Sequence, residues 1–141
     1  MAIMTKQQAK ELLARVLELS EADECECNLT GSNEGNIRYA RNTVSTSGEV
    51  SDVTLAVQSS FGKRTGAATI NEFDDASLER VVRRSEELAR LAPENPEWVP
   101  LVGPQKYKDT PTFFDATAKV TPEQRASAAD SSITPSKKND L

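Results

Sequence analysis

Cys25 and Cys27 are the side chains of this 141-residue chain best suited to hold a soft metal or to act as nucleophiles. They lie in the run Glu24-Cys25-Glu26-Cys27-Asn28-Leu29, which alternates as a strand with one wet face does. Residues i and i+2 share a strand face, but strand geometry holds their Cβ atoms too far apart for a disulfide. A zinc site needs about four ligands, and the sequence has no histidine and no third cysteine. The pair is expected to be two reduced, buried small side chains, as suits a cytoplasmic protein.

The remaining chemistry-bearing residues fare no better. General acid–base catalysis needs titratable groups brought together in an apolar setting. No carboxylate is expected on an apolar face; Asp115 follows Phe113 and Phe114 and fits a turn or cap. Ser59-Ser60 has no histidine to serve as its base. Gly31 and Gly35 lack the following helix and lysine of a phosphate loop. The sequence therefore offers no catalytic residue of its own, and an independent hydrolase or nucleotide binder is not expected.

Charge sets further bounds. The formal net charge is −5, and the acidity is spread along the chain. Residues 1–70 carry 7 basic and 9 acidic groups, 71–92 carry 4 and 6, and 93–141 carry 6 and 7. Without a basic patch there is no electrostatic footprint for nucleic acid. No stretch approaches the roughly 20 apolar residues of a membrane span, and the N-terminus lacks a signal-type apolar region.

These residues must be positioned by a modest core, because the apolar fraction is 37% and aromatics are 5%. Thr5 and Gln8 read as a capping box. Ala9, Leu12, Leu13, Val16 and Leu17 then follow at helical spacing, predicting a helix over about 6–20. Strands are expected around Cys25–Leu29, Ile37–Tyr39, Val53–Val57 and 63–70, with Thr30–Gly35 as a turn and 42–48 as a bend or loop. Val53, Leu55 and Val57 are expected to face the helices, and Thr54 and Gln58 to face away. Gly66 inside the last strand marks either a bulge or a place where a partner backbone or peptide comes close.

Asp74 or Asp75 is expected to cap a second helix, with Leu78, Val81, Val82, Ser85, Leu88, Ala89 and Ala92 on its inner stripe. Its outer face would pair Glu79 with Arg83 and Glu86 with Arg90. Pro93 ends this helix, and residues 93–111 hold five of the seven prolines. Trp98, Val99, Leu101 and Val102 sit among those prolines, which predicts a segment that wraps the domain. Trp98 either plugs the edge of the core or serves as an exposed recognition aromatic. Thr121, Pro122 and Gln124 start a short C-terminal helix, and 129–141 reads as a divergent, flexible tail.

The fold class is α+β: a curved antiparallel sheet of about four strands, helices packed on one face, a Pro-rich wrap and a short C-terminal helix. The order from Asn36-Ile37-Arg38-Tyr39-Ala40-Arg41-Asn42 through Gly48-Glu49-Val50-Ser51-Asp52-Val53 and Phe61-Gly62-Lys63-Arg64-Thr65-Gly66 to the helix Leu78–Leu91 resembles the N-terminal domain of the TldD/PmbA proteins. These are zinc metallopeptidases, also named modulators of DNA gyrase.

The resemblance implies a domain over 1–128 that helps to form a dimer or a substrate chamber for peptides. It also implies that the zinc motif, a helix bearing His-Glu-x-x-x-His, belongs to a second domain downstream of this chain. No cofactor is expected in the chain itself. The implied partners are a TldD/PmbA-type subunit or a second copy, with peptide as the substrate of the full-length protein. The other reading is a standalone binding module that pairs with a full-length relative. The candidate partner-binding residues are Trp98, Val99, Leu101, Phe113 and Phe114, which either cover the domain's own core or form an interface.

Overall fold

A computed structural model describes residues 4–103 and 105–140. Seven elements follow one another: α1 (Lys6–Leu19), β1 (Glu24–Ala40), β2 (Thr43–Phe61), β3 (Arg64–Ile70), α2 (Asp75–Leu91), α3 (Asp115–Ala118) and α4 (Pro122–Lys138). The three strands form one sheet in the order β1-β2-β3. The class is α+β, as expected, with three strands where the sequence suggests about four.

The difference lies in β1, which joins the two segments read as separate strands. Gly31 and Gly35 lie extended within β1, whose hydrogen-bonded neighbour is the 19-residue β2. The reversal comes instead at Arg41 and Asn42, with φ of 51° and 56°. Two successive left-handed residues between paired strands make a type I′ turn, whose twist suits a hairpin. The polar stretch after Asn42, expected as a loop, is the start of β2. In it Ser45 and Ser47 donate hydroxyl hydrogen bonds to the carbonyls of Arg38 and Asn36.

The chain divides into two compact units: Met1–Ser32 with Ser51–Gln105, and Asn33–Val50 with Lys106–Leu141. The first unit holds the main core. The Thr5 hydroxyl accepts from the Gln8 amide and the Gln8 side chain accepts from the Thr5 amide, so α1 begins with the expected capping box. Asp74 caps α2 by accepting from the Ser77 amide at 3.1 Å, and the Ser77 hydroxyl and amide hold its carboxyl below the usual range.

Val16 of α1, Leu55 and Val57 of β2, and Leu78, Val81 and Val82 of α2 form one buried cluster. Both helices therefore cover the same sheet face. β2 and β3 pair antiparallel from Leu55↔Ile70 to Phe61↔Arg64, and Gly62 turns the chain at a left-handed φ of 56°.

Gly66 does not mark a bulge; it marks a close backbone approach. It stays in register opposite Ser59, and the backbone approaching it belongs to α2. A Cβ built there would lie 2.5 Å from the Ser85 carbonyl oxygen and 2.6 Å from the Leu88 carbonyl carbon. Across the same contact the buried Ser59 and Ser85 hydroxyls are 2.7 Å apart. Ser85 donates to the Val82 carbonyl at 2.8 Å, so it accepts from Ser59. Glycine, two serines and Ala89 together let helix and sheet come unusually close.

The second unit consists of the hairpin tip, α3 and α4. α4 opens with the expected box, Thr121 and Gln124 each accepting from the other's amide, and Pro122 lies in its first turn. It continues through Lys138, across the stretch whose composition suggests a frayed end. Ala129 and Ile133 are its buried residues.

Candidate functional site

The segment after α2 carries most of the residues expected to meet a partner. Pro-rich chain cannot donate a regular ladder, and no helix or strand forms among the described residues between Ala92 and Phe114. Within the first unit it is pinned at two points. The Asn95 amide donates to the Lys63 carbonyl at 2.9 Å, at the β2–β3 turn. The Leu101 amide donates to Glu24 Oε2 at 3.2 Å, at the start of β1. Between them the Asn95 side chain accepts from the Glu97 amide, and the Trp98 amide donates to the Asn95 carbonyl. This is a local turn that holds Trp98 in place.

Trp98 is half-buried, while Val99 is 75% exposed and Leu101 is also exposed. Two points of backbone attachment thus carry a strap whose apolar side chains are only partly covered. In the second unit Phe113 is 74% exposed and Phe114, at the N-terminal cap of α3, is exposed as well. Tyr107, between Lys106 and Lys108, is another exposed aromatic.

The β2–β3 turn is the strap's foothold, and side chains from several elements fix it. The Gly62 amide donates to Asp23 Oδ2 at 2.8 Å. Arg64 reaches the Arg90 carbonyl and lies 3.8 Å from the Glu94 carboxylate. The Arg90 guanidinium stacks over the Phe61 ring, 4.3 Å from its centroid. The turn therefore ties the α1–β1 junction and the end of α2 to the strap.

Glu86 overturns two sequence expectations, that no carboxylate lies on an apolar face and that this one pairs with Arg90 outside. It is fully buried. Its Oε1 accepts from the Glu21 amide at 2.6 Å and from the Ser20 hydroxyl at 3.5 Å; its Oε2 accepts from Arg83 at 2.8 Å. Arg83 also reaches Glu21 at 3.1 Å. The chain leaving α1 has a free amide that needs an acceptor, and Glu86 supplies it from across the core. Its spacing carries the signal that could have found it: it lies four residues after buried Val82 and three before buried Ala89.

The cysteines lie half-buried against the core. Burial pushes the Cys25 thiol up, partly opposed by hydrogen bonds with Ser20 and Ser59. Burial, with the neighbouring charges of Cys25 and Glu26, pushes Cys27 up to about 11. Its thiol lies 3.8 Å from the Leu13 carbonyl. Thiols held protonated are poor metal ligands and poor nucleophiles. Among the described residues no three His, Cys, Asp or Glu side chains gather as a metal site. Nor is any helix among the described residues long and apolar enough to cross a membrane.

Residues 25–89 match the family described as PmbA/TldA metallopeptidase domain 1. No curated protein sequence matches the chain. Among the solved structures that share the fold, TldE from Thermococcus kodakarensis is 18% identical with a TM-score of 0.78, covering 94% of this chain and 29% of that one. A Thermotoga maritima protein assigned as a modulator of a DNA gyrase is 13% identical with a TM-score of 0.67, covering 86% and 28%. The chain spans under a third of the length of either structure.

Proposed function

We propose that this chain, whose residues 25–89 match the family described as PmbA/TldA metallopeptidase domain 1, is an N-terminal domain of that family and serves as the assembly and peptide-binding part of such a peptidase. In this reading it joins a partner subunit, or a second copy, and helps to wall a chamber for peptide substrates. It contributes no catalytic group. A zinc-activated water and the base beside it would come from a domain bearing the family's His-Glu-x-x-x-His helix.

The observation that carries the reading is the strap. Val99 and Leu101 are held out by a backbone anchored at Lys63 and Glu24. Apolar side chains on a fixed backbone lose little conformational entropy when a partner covers them, and such patches mark interfaces.

One assay tests both halves of this reading. The homogeneous chain is expected to give no chelator-sensitive cleavage of an unfolded peptide, and to co-elute with a full-length zinc-bearing member of the family. Cleavage by the chain alone, or separate elution at micromolar concentration, would contradict it.

A further inference from the structure

We infer that the second unit is an order–disorder element, in which α4 latches onto the hairpin tip and releases while the first unit stays folded. The latch is Arg125. Its Nη2 lies 2.7 Å from Glu49 Oε1 on β2, and its Nη1 donates to the Val120 carbonyl at 3.0 Å, at the foot of its own helix. The guanidinium also packs against β1 at Gly35. A Cβ built on Gly35 would be 2.6 Å from Arg125 Cζ and 3.0 Å from Nη2. One side chain therefore grips both strands of the tip, and Gly35 makes the space for it.

Among the described residues, few other side chains hold α4. Of its 17 residues, Ala129 and Ile133 are buried, far less apolar area than a helix of this length needs for stable docking. Pro135 lies inside the helix, where it has no amide to donate to the carbonyl one turn back. The Ser131 and Ser136 hydroxyls donate to carbonyls four residues back, a bond that weakens helices. The latch itself is imperfect, because Arg125 Nε is buried with no hydrogen-bond partner, and a buried orphan donor offsets part of the gain. The Glu49 side chain is 66% exposed, so water competes for the ion pair. An isolated two-stranded ribbon is marginal in water, so the tip loses its order when α4 leaves.

The first unit is built differently. Its buried cluster draws on α1, β2 and α2 together, and its buried carboxylate and hydroxyls are bonded. The two units thus stand at opposite ends of the local stability range.

Hydrogen–deuterium exchange on the full chain, read by mass spectrometry peptide by peptide, tests the inference. Residues 122–138 are expected to exchange at least about tenfold faster than 75–91. Gly35→Ala, which pushes the guanidinium off β1, is expected to accelerate 33–50 and 122–138 together by about tenfold. Glu49→Gln is expected to accelerate them by about fivefold. In both variants 75–91 keeps its rate, which also shows that the variant is folded. Three results would overturn the inference. These are wild-type protection of 122–138 equal to that of 75–91, acceleration of all three segments by one factor, and variants that leave 122–138 unchanged.

Discussion

Gly66→Ala will destabilise this protein by about 3 kcal/mol or more, at the upper end of overpacking costs. A new methyl group normally finds some slack, because flexible side chains give way. Here it meets the main chain of α2, at the Ser85 oxygen and the Leu88 carbonyl carbon. Main chain in a helix cannot yield alone, so α2 must lift from β3. Lifting it would stretch the Ser59–Ser85 hydrogen bond and open the cluster around Val82. Gly103→Ala is the matched control, because nothing lies within 4 Å of the Cβ it would add. That variant should stay within about 0.5 kcal/mol of wild type. Urea melts of the two variants decide the matter. Equal losses would mean that helix and sheet are not in backbone contact at Gly66.

Leu55→Ala will cost about 2–5 kcal/mol, the range for emptying a large core side chain. Leu55 is fully buried, pairs in register with Ile70, and belongs to the cluster that α1 and α2 cover. Its neighbour Thr54 points the other way, half-exposed, with its hydroxyl 3.3 Å from Asp52 Oδ2. Thr54→Ala should cost under about 1 kcal/mol. Strand alternation makes the comparison sharp, since a slip of one residue exchanges the two roles. Equal losses, or a larger loss at Thr54, would refute the register.

Much of the first unit can be read from the sequence because its signals are local and periodic. The Val53–Val57 alternation, the Thr5–Gln8 box and the stripe from Leu78 to Ala89 each name their structure within a few residues, as the Thr121–Gln124 box does in the second unit. What escapes such reading depends on distant neighbours. Thr30–Gly35 has the composition of a turn, yet it lies extended within β1, beside β2. Gly66 is recognisable as special, yet the backbone it admits lies some twenty residues onward in α2. Glu86 resembles any surface glutamate until the chain leaving α1 presents the amide of Glu21 to it. α4 has so few apolar residues that Ala129 and Ile133 do not announce a buried face.

The strap is legible in part for the same reason. Proline spacing excludes helix and strand, and the aromatic and aliphatic residues between the prolines stand out. Which of them point outward depends on the anchors at Lys63 and Glu24, two loci far apart in sequence.

Whether these outward residues form an interface is tested most directly by light scattering in line with gel filtration. The intact chain is expected to run above monomer mass at tens of micromolar, or to shift to a complex when a full-length PmbA/TldD-type protein is added. The double variant Trp98→Ala, Phe113→Ser should lose that association while keeping its melting transition within a few degrees, as its removed side chains are half-buried and exposed respectively. An intact chain that stays monomeric with and without the relative, and a double variant that is merely less stable, would contradict the account and leave the strap as a cover for its own core.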